Sequence, residues 1–210
     1  MDARDIRNEK TGKAVVKALN ARFFEAYYCA TREEAADKAL EMIAEGSTVT
    51  WGGSMSIFEC GLVDKLKAGK YNIIDRALCK PEEKNDIMRK AFFADTYLMS
   101  ANAISADGQL VNIDGTGNRL AALCFGPKQV IVIAGINKIA PDLDSAMKRA
   151  SGISAPINAQ RFELNTPCKL TGICTECRCA DSICSQILVT RMNRNAGRIK
   201  VIICGDELGF

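Results

Sequence analysis

Thr48-Val-Thr-Trp51-Gly52-Gly53-Ser54 is the stretch that decides the fold. A β-branched and aromatic run stops at two glycines, and a helical pattern starts at about Met55 and runs towards Ala68. That is a strand, a tight turn and a helix, the repeating unit of an α/β sheet. Upstream, Thr31-Arg-Glu-Glu34 has capping-box form, with Thr31 and Glu34 each satisfying the other's free backbone N–H, so a helix to about Ala44 is expected. Phe23–Cys29 reads as a strand before it, and Asp2–Ala21 as an opening helix with Ala14, Val15, Ala18 and Leu19 on one stripe. Downstream, Asn72–Asp75 is a strand and Pro81-Glu-Glu83 a helix start. Ala94–Ile104, Leu110–Ile113 and the run Gln129–Ala134 are further strands, and Asp142–Ala150 is a helix. Ile187–Met192 and Ile199–Cys204 are expected to pair as a hairpin around Asn195-Ala-Gly197. Strands alternating with helices predict an α/β fold with a parallel sheet covered on both faces. The expected organisation is a single α/β domain over 1–210, with a helical segment at about 1–22 and a cysteine-rich loop at about 167–185.

The chain has 210 residues, and 28 Lys and Arg against 25 Asp and Glu leave a net charge of +3. At 48% apolar and 25% charged it has the composition of a globular protein, which excludes disorder as a description of the whole. The small net charge argues against a nucleic-acid surface. No apolar run reaches the roughly 18–20 residues of a membrane-spanning helix, so no membrane insertion is expected. The charged opening Met1-Asp-Ala-Arg-Asp-Ile-Arg-Asn-Glu-Lys10 has no signal-peptide character, and a cytoplasmic location follows. The chain contains no histidine, which excludes Ser-His-Asp and Cys-His relays and any imidazole ligand. Its ten cysteines, with no secretory signal, are expected to be reduced thiols.

Two polar, glycine-rich turns are the candidate ligand mouth. At Gly52-Gly53-Ser54, the carboxyl end of a strand meets a helix start, where open α/β sheets bind ligands. Bare glycines admit an anion to backbone N–H groups, and Ser54 can donate to a phosphate or carboxylate; a plain tight turn with Ser54 as helix N-cap is the other reading. Glu59 lies in the first turns of that helix, either facing the mouth as base or nucleophile or simply solvated. Asp114-Gly115-Thr116-Gly117-Asn118-Arg119 presents backbone donors and an arginine fork, or else is a turn stabilised by its own Asp114 and Asn118. Asn102 stands close enough in the pattern to line the same mouth, and Asp114 is the second candidate base or nucleophile.

Five thiols crowd one loop: Cys168, Cys174, Cys177, Cys179 and Cys184. Cys174-x-x-Cys177 has chelating spacing, and Cys168 and Cys184 complete four ligands, with Cys179 as the alternative fourth. Without histidine, such a site is all-thiolate, holding an iron–sulfur cluster or, alternatively, zinc. A redox-active thiol pair and a loop with no cofactor are the other readings. The isolated Cys29, Cys60, Cys79, Cys124 and Cys204 read as small buried hydrophobes.

Taken together, Gly52-Gly-Ser-Met-Ser-Ile-Phe-Glu59-Cys-Gly61, Asn102-Ala-Ile-Ser-Ala-Asp-Gly108 through Arg119, Gly126–Ile139 and the closing Gly205-Asp-Glu-Leu-Gly-Phe210 resemble the LUD domain, the lactate-utilization family. The cysteine segment resembles its stand-alone members with a cysteine-rich loop near the C-terminus. The resemblance implies a three-layer, mostly parallel α/β fold like that of glucosamine-phosphate isomerase, ribose-phosphate isomerase and the CoA transferases. In that fold Gly52, Gly53 and Ser54 match a turn that binds phosphate or an anionic substrate end. The stretch from Asn102 to Asn118 is also similar to one in methylthioribose-phosphate isomerase, but an acid–base Asp there is Asn102 here, which argues against isomerase chemistry. What the family implies is a component of lactate (2-hydroxy acid) oxidation, taking a small anionic metabolite and working with an iron–sulfur partner protein; a homo-oligomer is a separate expectation that the family resemblance does not supply. A self-sufficient sugar-phosphate or CoA-thioester enzyme and a non-catalytic thiol or metal sensor are the alternatives.

Overall fold

A computed structural model describes residues 2–210, so Met1, where the expected N-terminal segment and domain begin, lies outside the described residues. The strands are β1 (Glu25–Cys29), β2 (Thr48–Trp51), β3 (Asn72–Ile74), β4 (Thr96–Met99), β5 (Ala103–Ser105), β6 (Leu110–Asp114), β7 (Gln129–Gly135), β8 (Ile139–Ala140), β9 (Gln186–Thr190) and β10 (Ile199–Cys204). Six of them form an all-parallel sheet in the order β1-β10-β7-β4-β2-β3. The others form a four-stranded sheet, β8-β5-β6-β9, in which β6 runs antiparallel to both neighbours.

The side chains of β7 show why the large sheet is covered twice. Val130 and Val132 pack on one face with Val15 and Leu19 of α1 (Ala3–Ala21). Ile131 and Ile133 pack on the other with Ala35 and Ala39 of α2 (Arg32–Glu41), Ile57 of α3 (Met55–Glu59) and Leu62 and Leu66 of α4 (Leu62–Ala68). Alternation along a strand thus feeds two cores, and the three-layer, mostly parallel α/β architecture expected from the sequence is what the chain adopts. The remaining helices are α5 (Lys84–Lys90), α6 (Asn118–Cys124), α7 (Leu143–Arg149), α8 (Ala155–Ala159) and α9 (Pro167–Thr171), with a π-turn at Ala150–Ser154 between α7 and α8. The small sheet has its own core of Ala103, Val111, Ile113 and Ala146. It leans on α1 at Gly108 (φ 88°), where a Cβ would stand 2.7 Å from the Leu19 amide nitrogen. Arg22 ties the same turn by donating to the Asp107 carbonyl at 2.6 Å. Among the described residues no helix is long and apolar enough to cross a membrane.

Several local expectations are corrected, among them the burial of two isolated cysteines: Cys79 is half-buried and Cys124 exposed, while Cys29, Cys60 and Cys204 are buried as expected. The hairpin does not form: β10 inserts between β1 and β7, while β9 pairs with β6. Val201, Ile202 and Ile203 are fully buried, and a strand apolar on both faces belongs at a sheet centre rather than in a two-stranded ribbon. The strand expected over Ala94–Ile104 breaks at Ser100-Ala-Asn102, and its halves β4 and β5 join different sheets. The helix after the glycine turn is interrupted by left-handed Gly61 (φ 76°). Finally, α2 ends at Glu41, and its cap is offset: Glu34 N donates to Thr31 Oγ (3.2 Å), but the Glu34 carboxylate accepts from Ala30 N (2.8 Å), not from Thr31.

Candidate functional site

The parallel strands β2, β4, β7 and β10 all release their loops at one edge, and a cavity of about 700 Å³ opens there. Gly52, Gly53 and Ser54 line it, as do Asn102, Asp114, Gly115, Thr116, Asn118 and Arg119, so the two glycine-rich turns share one mouth. Gly117 does not line it; left-handed at φ 83°, it starts α6 and faces Gln186 instead.

What covers the first turn is arginine. A Cβ on Gly52 would meet Arg119 Cδ at 3.0 Å and the Tyr97 hydroxyl at 3.1 Å, and one on Gly53 would meet Arg76 Nη2 at 2.7 Å. The glycines therefore make room for two guanidinium groups. Arg161, beyond α8, adds a third, donating to the Gly53 carbonyl and to Asn158 Oδ1, both at 3.1 Å. Burial, then the charges of Arg76 and Arg119, lower the Arg161 pKa, so the three groups feel one another. Lys84 and Lys138 also line the cavity, against the two carboxylates of Asp114 and Glu163. This positive charge, rather than the helix dipole, is the electrostatic feature of the mouth: α3 has five residues, too few for a strong macrodipole. Ser54 occupies the N-cap position but makes no capping bond, and its Oγ is buried without a partner. A buried hydroxyl in that state is a donor waiting for an acceptor.

The two candidate carboxylates are placed differently. Asp114 is buried and committed: its Oδ2 accepts from Arg119 N (3.0 Å) and its Oδ1 pairs with Arg119 Nη2 (3.2 Å), which also donates to the Ile113 carbonyl (2.8 Å). Asp114 thus aims the arginine. Glu59 does not line the cavity; it is exposed and accepts from Gly209 N at 2.7 Å. The C-terminal strap it holds is fastened again by Asn137, whose Oδ1 accepts from Leu208 N (3.1 Å) and whose Nδ2 donates to the Gly209 carbonyl (2.9 Å). The strap brings Gly209 and Phe210 to the cavity wall. Asn102 uses its Oδ1 to accept from Ile113 N (2.9 Å), stitching β5 to β6.

Lys138 escaped the sequence reading, as did Arg76 and Arg161. Lys138 is 3% exposed, and its Nζ lies 2.9 Å from Ser56 Oγ and 3.0 Å from Ser100 Oγ. Burial, then the charge of Arg149, bring its pKa down to about 7, with Glu59 acting weakly the other way. Its only signal was a single cation closing the apolar stretch Val130–Ile139. Arg76 and Arg161 gave none, because each comes from a segment remote in sequence from the turn it overhangs.

The cysteine loop joins the same wall. Its Ile183 lines the cavity, and its Cα would lie 3.2 Å from a Cβ on Gly115. Cys168 is buried; Cys174, Cys177, Cys179 and Cys184 are half-buried, and Sγ of Cys179 lies 3.7 Å from that of Cys177. Burial, then the charges of Cys174, Cys168 and Cys177, push the Cys184 thiol up to about 11. Those are the four thiols that the spacing singled out, so the donor chemistry suits an all-thiolate site. Among the described residues, however, no three Cys, Asp or Glu side chains stand in metal-holding geometry.

The LUD domain model matches residues 12–204. No curated protein matches the chain. Over 94% of this chain and 98% of the other, the fold is similar to that of a DUF162 family protein from Deinococcus radiodurans, with a TM-score of 0.55 at 10% identity. Partial likenesses extend to eIF2B beta from Chaetomium thermophilum (TM-score 0.40, 20% identity, 54% of this chain and 44% of that one). A second is to translation initiation factor eIF-2B from Pyrococcus horikoshii (TM-score 0.37, 20% identity, 53% and 48%). With the family model spanning nearly its whole length, the chain belongs to the LUD domain family.

Proposed function

We propose that this protein is the ligand-binding component of a 2-hydroxy-acid (lactate) oxidation system, holding a small anionic metabolite in the cavity at the sheet's carboxyl edge. The observation that carries the reading is the convergence of Arg76, Arg119 and Arg161 over Gly52-Gly53, with the unpartnered Ser54 hydroxyl beneath. A guanidinium fork matches a carboxylate or phosphate in two parallel hydrogen bonds, and Asp114 pre-sets the Arg119 fork. Family membership supports the choice of process, and in this reading an iron–sulfur partner takes the electrons. Cys168, Cys174, Cys177 and Cys184, with Cys179 as the alternative fourth, are the residues that would hold an iron–sulfur cluster or zinc of the chain's own. A cluster would supply electron transfer at the wall of the cavity, and zinc would brace the loop.

Titration calorimetry of the full chain with L-lactate, pyruvate and inorganic phosphate tests the reading. One-site binding of the carboxylates that falls at least tenfold in Arg119→Ala is expected; binding of phosphate alone would move the protein to the sugar-phosphate alternative, and binding of none would overturn the anion site. Metal analysis and an absorption spectrum of protein purified without oxygen test the thiols separately. Broad charge-transfer absorption with stoichiometric iron supports a cluster, and metal-free, colourless protein overturns the cofactor.

A further inference from the structure

Lys138 is buried at the cavity wall with no carboxylate in ion-pair distance among the described residues. Two hydroxyl oxygens accept from it, those of Ser56 and Ser100. Both hydroxyls can spend their own hydrogens on carbonyls, Ser56 on Leu208 O at 3.1 Å and Ser100 on Ala101 O at 3.3 Å. This arrangement satisfies the two N–H bonds of a neutral amine and leaves its lone pair free, and among the described residues no third acceptor stands within hydrogen-bond distance of the nitrogen. On the Gly209 side no side chain covers the nitrogen: a Cβ there would stand 3.3 Å from Nζ and 2.9 Å from Ser56 Oγ. Burial has already brought the amine close to half-deprotonated at neutral pH. The charged groups around it are Arg149, fixed by donating to the Asn137 carbonyl at 2.9 Å, and Glu59, tied to Gly209.

We propose that Lys138 is a nucleophilic amine that forms an imine with the carbonyl carbon of a 2-oxo acid whose carboxylate sits on the arginines. The inference deepens the anion-site reading and rests on it. In the step, the Nζ lone pair attacks the carbonyl carbon, the C=O π pair moves to oxygen, and a proton from nitrogen reaches that oxygen through the Ser56 or Ser100 hydroxyl. Loss of the hydroxyl with the second amine proton releases one water and leaves C=N. No electrons are gained or lost, so the step needs no oxidant. A 2-hydroxy acid has the same carboxylate and no carbonyl, so it binds without reacting.

Pyruvate with sodium cyanoborohydride tests this on the full wild-type chain, since the reductant converts an imine to a stable secondary amine. Mass spectrometry should show one adduct, heavier by one pyruvate less one oxygen atom, mapping to Lys138. Its formation should be on the order of a hundredfold faster than at any exposed lysine, because an ordinary lysine near pH 7 is about one part in a thousand neutral. Excess L-lactate should suppress it, and Lys138→Met, which keeps the length of the side chain and, like the neutral amine, carries no charge, should lose it while the arginines still bind pyruvate. An adduct absent from Lys138 or spread over surface lysines, in protein that binds pyruvate by calorimetry, overturns the imine and leaves the anion site standing. An adduct at Lys138 that lactate does not suppress separates the amine from the arginines and overturns the proposal as stated. Absence of both binding and adduct overturns both readings.

Discussion

Arg76→Ala should weaken ligand binding while leaving the protein as stable as before. Among the described residues the Arg76 guanidinium makes no hydrogen bond and no ion pair, although it lies over Gly53 and adds to the charge felt by Arg161. A side chain placed there for folding would have partners; this one has two like charges near it. Removing one of three mutually repelling, partly solvated cations returns about 0.2–1 kcal/mol. Loss of packing along its methylene stem offsets part of that. The net change in melting temperature is therefore expected within about 2 °C, given roughly 2–4 °C per kcal/mol for a chain of this length. If the guanidinium instead meets a ligand's carboxylate, the charge-assisted bonds lost are about 1.5–3 kcal/mol, or roughly a ten- to hundredfold rise in Kd. Arg76→Lys should fall between, keeping the charge but not the fork. Thermal unfolding and pyruvate calorimetry, run on the same preparations at low and physiological salt, read both quantities. A Tm lowered by many degrees with affinity unchanged would refute the reasoning, because it would make Arg76 a structural residue whose partners are of another kind.

Asn137→Ala removes both side-chain bonds that fasten the C-terminal strap and should cost about 2–3 kcal/mol, roughly 4–12 °C in Tm, with Leu208 and Gly209 amides exchanging faster; an unchanged melt would show the strap is held by other contacts. Lys138 should make stability rise with pH. Its pKa of about 7 in the folded protein lies below the ordinary lysine value, so above pH 7 the unfolded chain holds a proton that the folded one lacks. Below pH 7 both states are protonated and the cost of burying the charge is borne in full. Between pH 7 and 9 the wild type should gain about 2 kcal/mol relative to Lys138→Met by urea unfolding. Cys29, Cys60 and Cys204, whose thiols burial pushes upward, pull the opposite way and cancel in that difference. A flat difference would mean that the amine is charged in the folded state. Iodoacetamide at neutral pH should label exposed Cys124 in the folded protein and spare Cys29, near 11, and Cys204, near 12, until it unfolds; early labelling of Cys204 would contradict its burial.

How much of this was legible in the sequence depended on range. The strand-turn-helix at Thr48–Ser54 and the turn at Asp114–Arg119 are local, and their glycines announce a tight backbone whatever lies around them. The capping oxygen of Thr31 was readable for the same reason, and the one-residue offset of Glu34 shows how little energy separates two neighbouring amides as acceptors' partners. Strand pairing was not local. Ile199–Cys204 looks like one arm of a hairpin to any window of fifteen residues, and only the demand for a doubly buried strand between β1 and β7 removes it. The site suffered most. Gly52 and Gly53 pointed to an approaching group, but the group that approaches is Arg119 and Arg76, from sixty-seven and twenty-three positions away. Glu59, adjacent in the pattern, turned out to hold the strap instead.

The cysteine loop and the anion mouth could have lain on opposite sides of the sheet, in which case the thiols would concern stability alone. The pairing of β6 with β9 rules that arrangement out. In its register Asp114 faces Gln186, so the chain leaving Cys184 is hydrogen-bonded to the very strand that ends in the arginine-aiming carboxylate. At the loop's other end, Asn165 N donates to Asp181 Oδ2 at 2.9 Å, drawing the loop back beside residues 162–164, which line the cavity. Ile183 then closes on Gly115, where an added Cβ would stand a tight 3.2 Å from the Ile183 Cα. A shift of Ile183 towards Gly115 would meet the turn that bounds the mouth. The cysteine loop and the cation-lined cavity thus share a boundary where Ile183 meets Gly115, although none of the five thiols themselves lines the cavity.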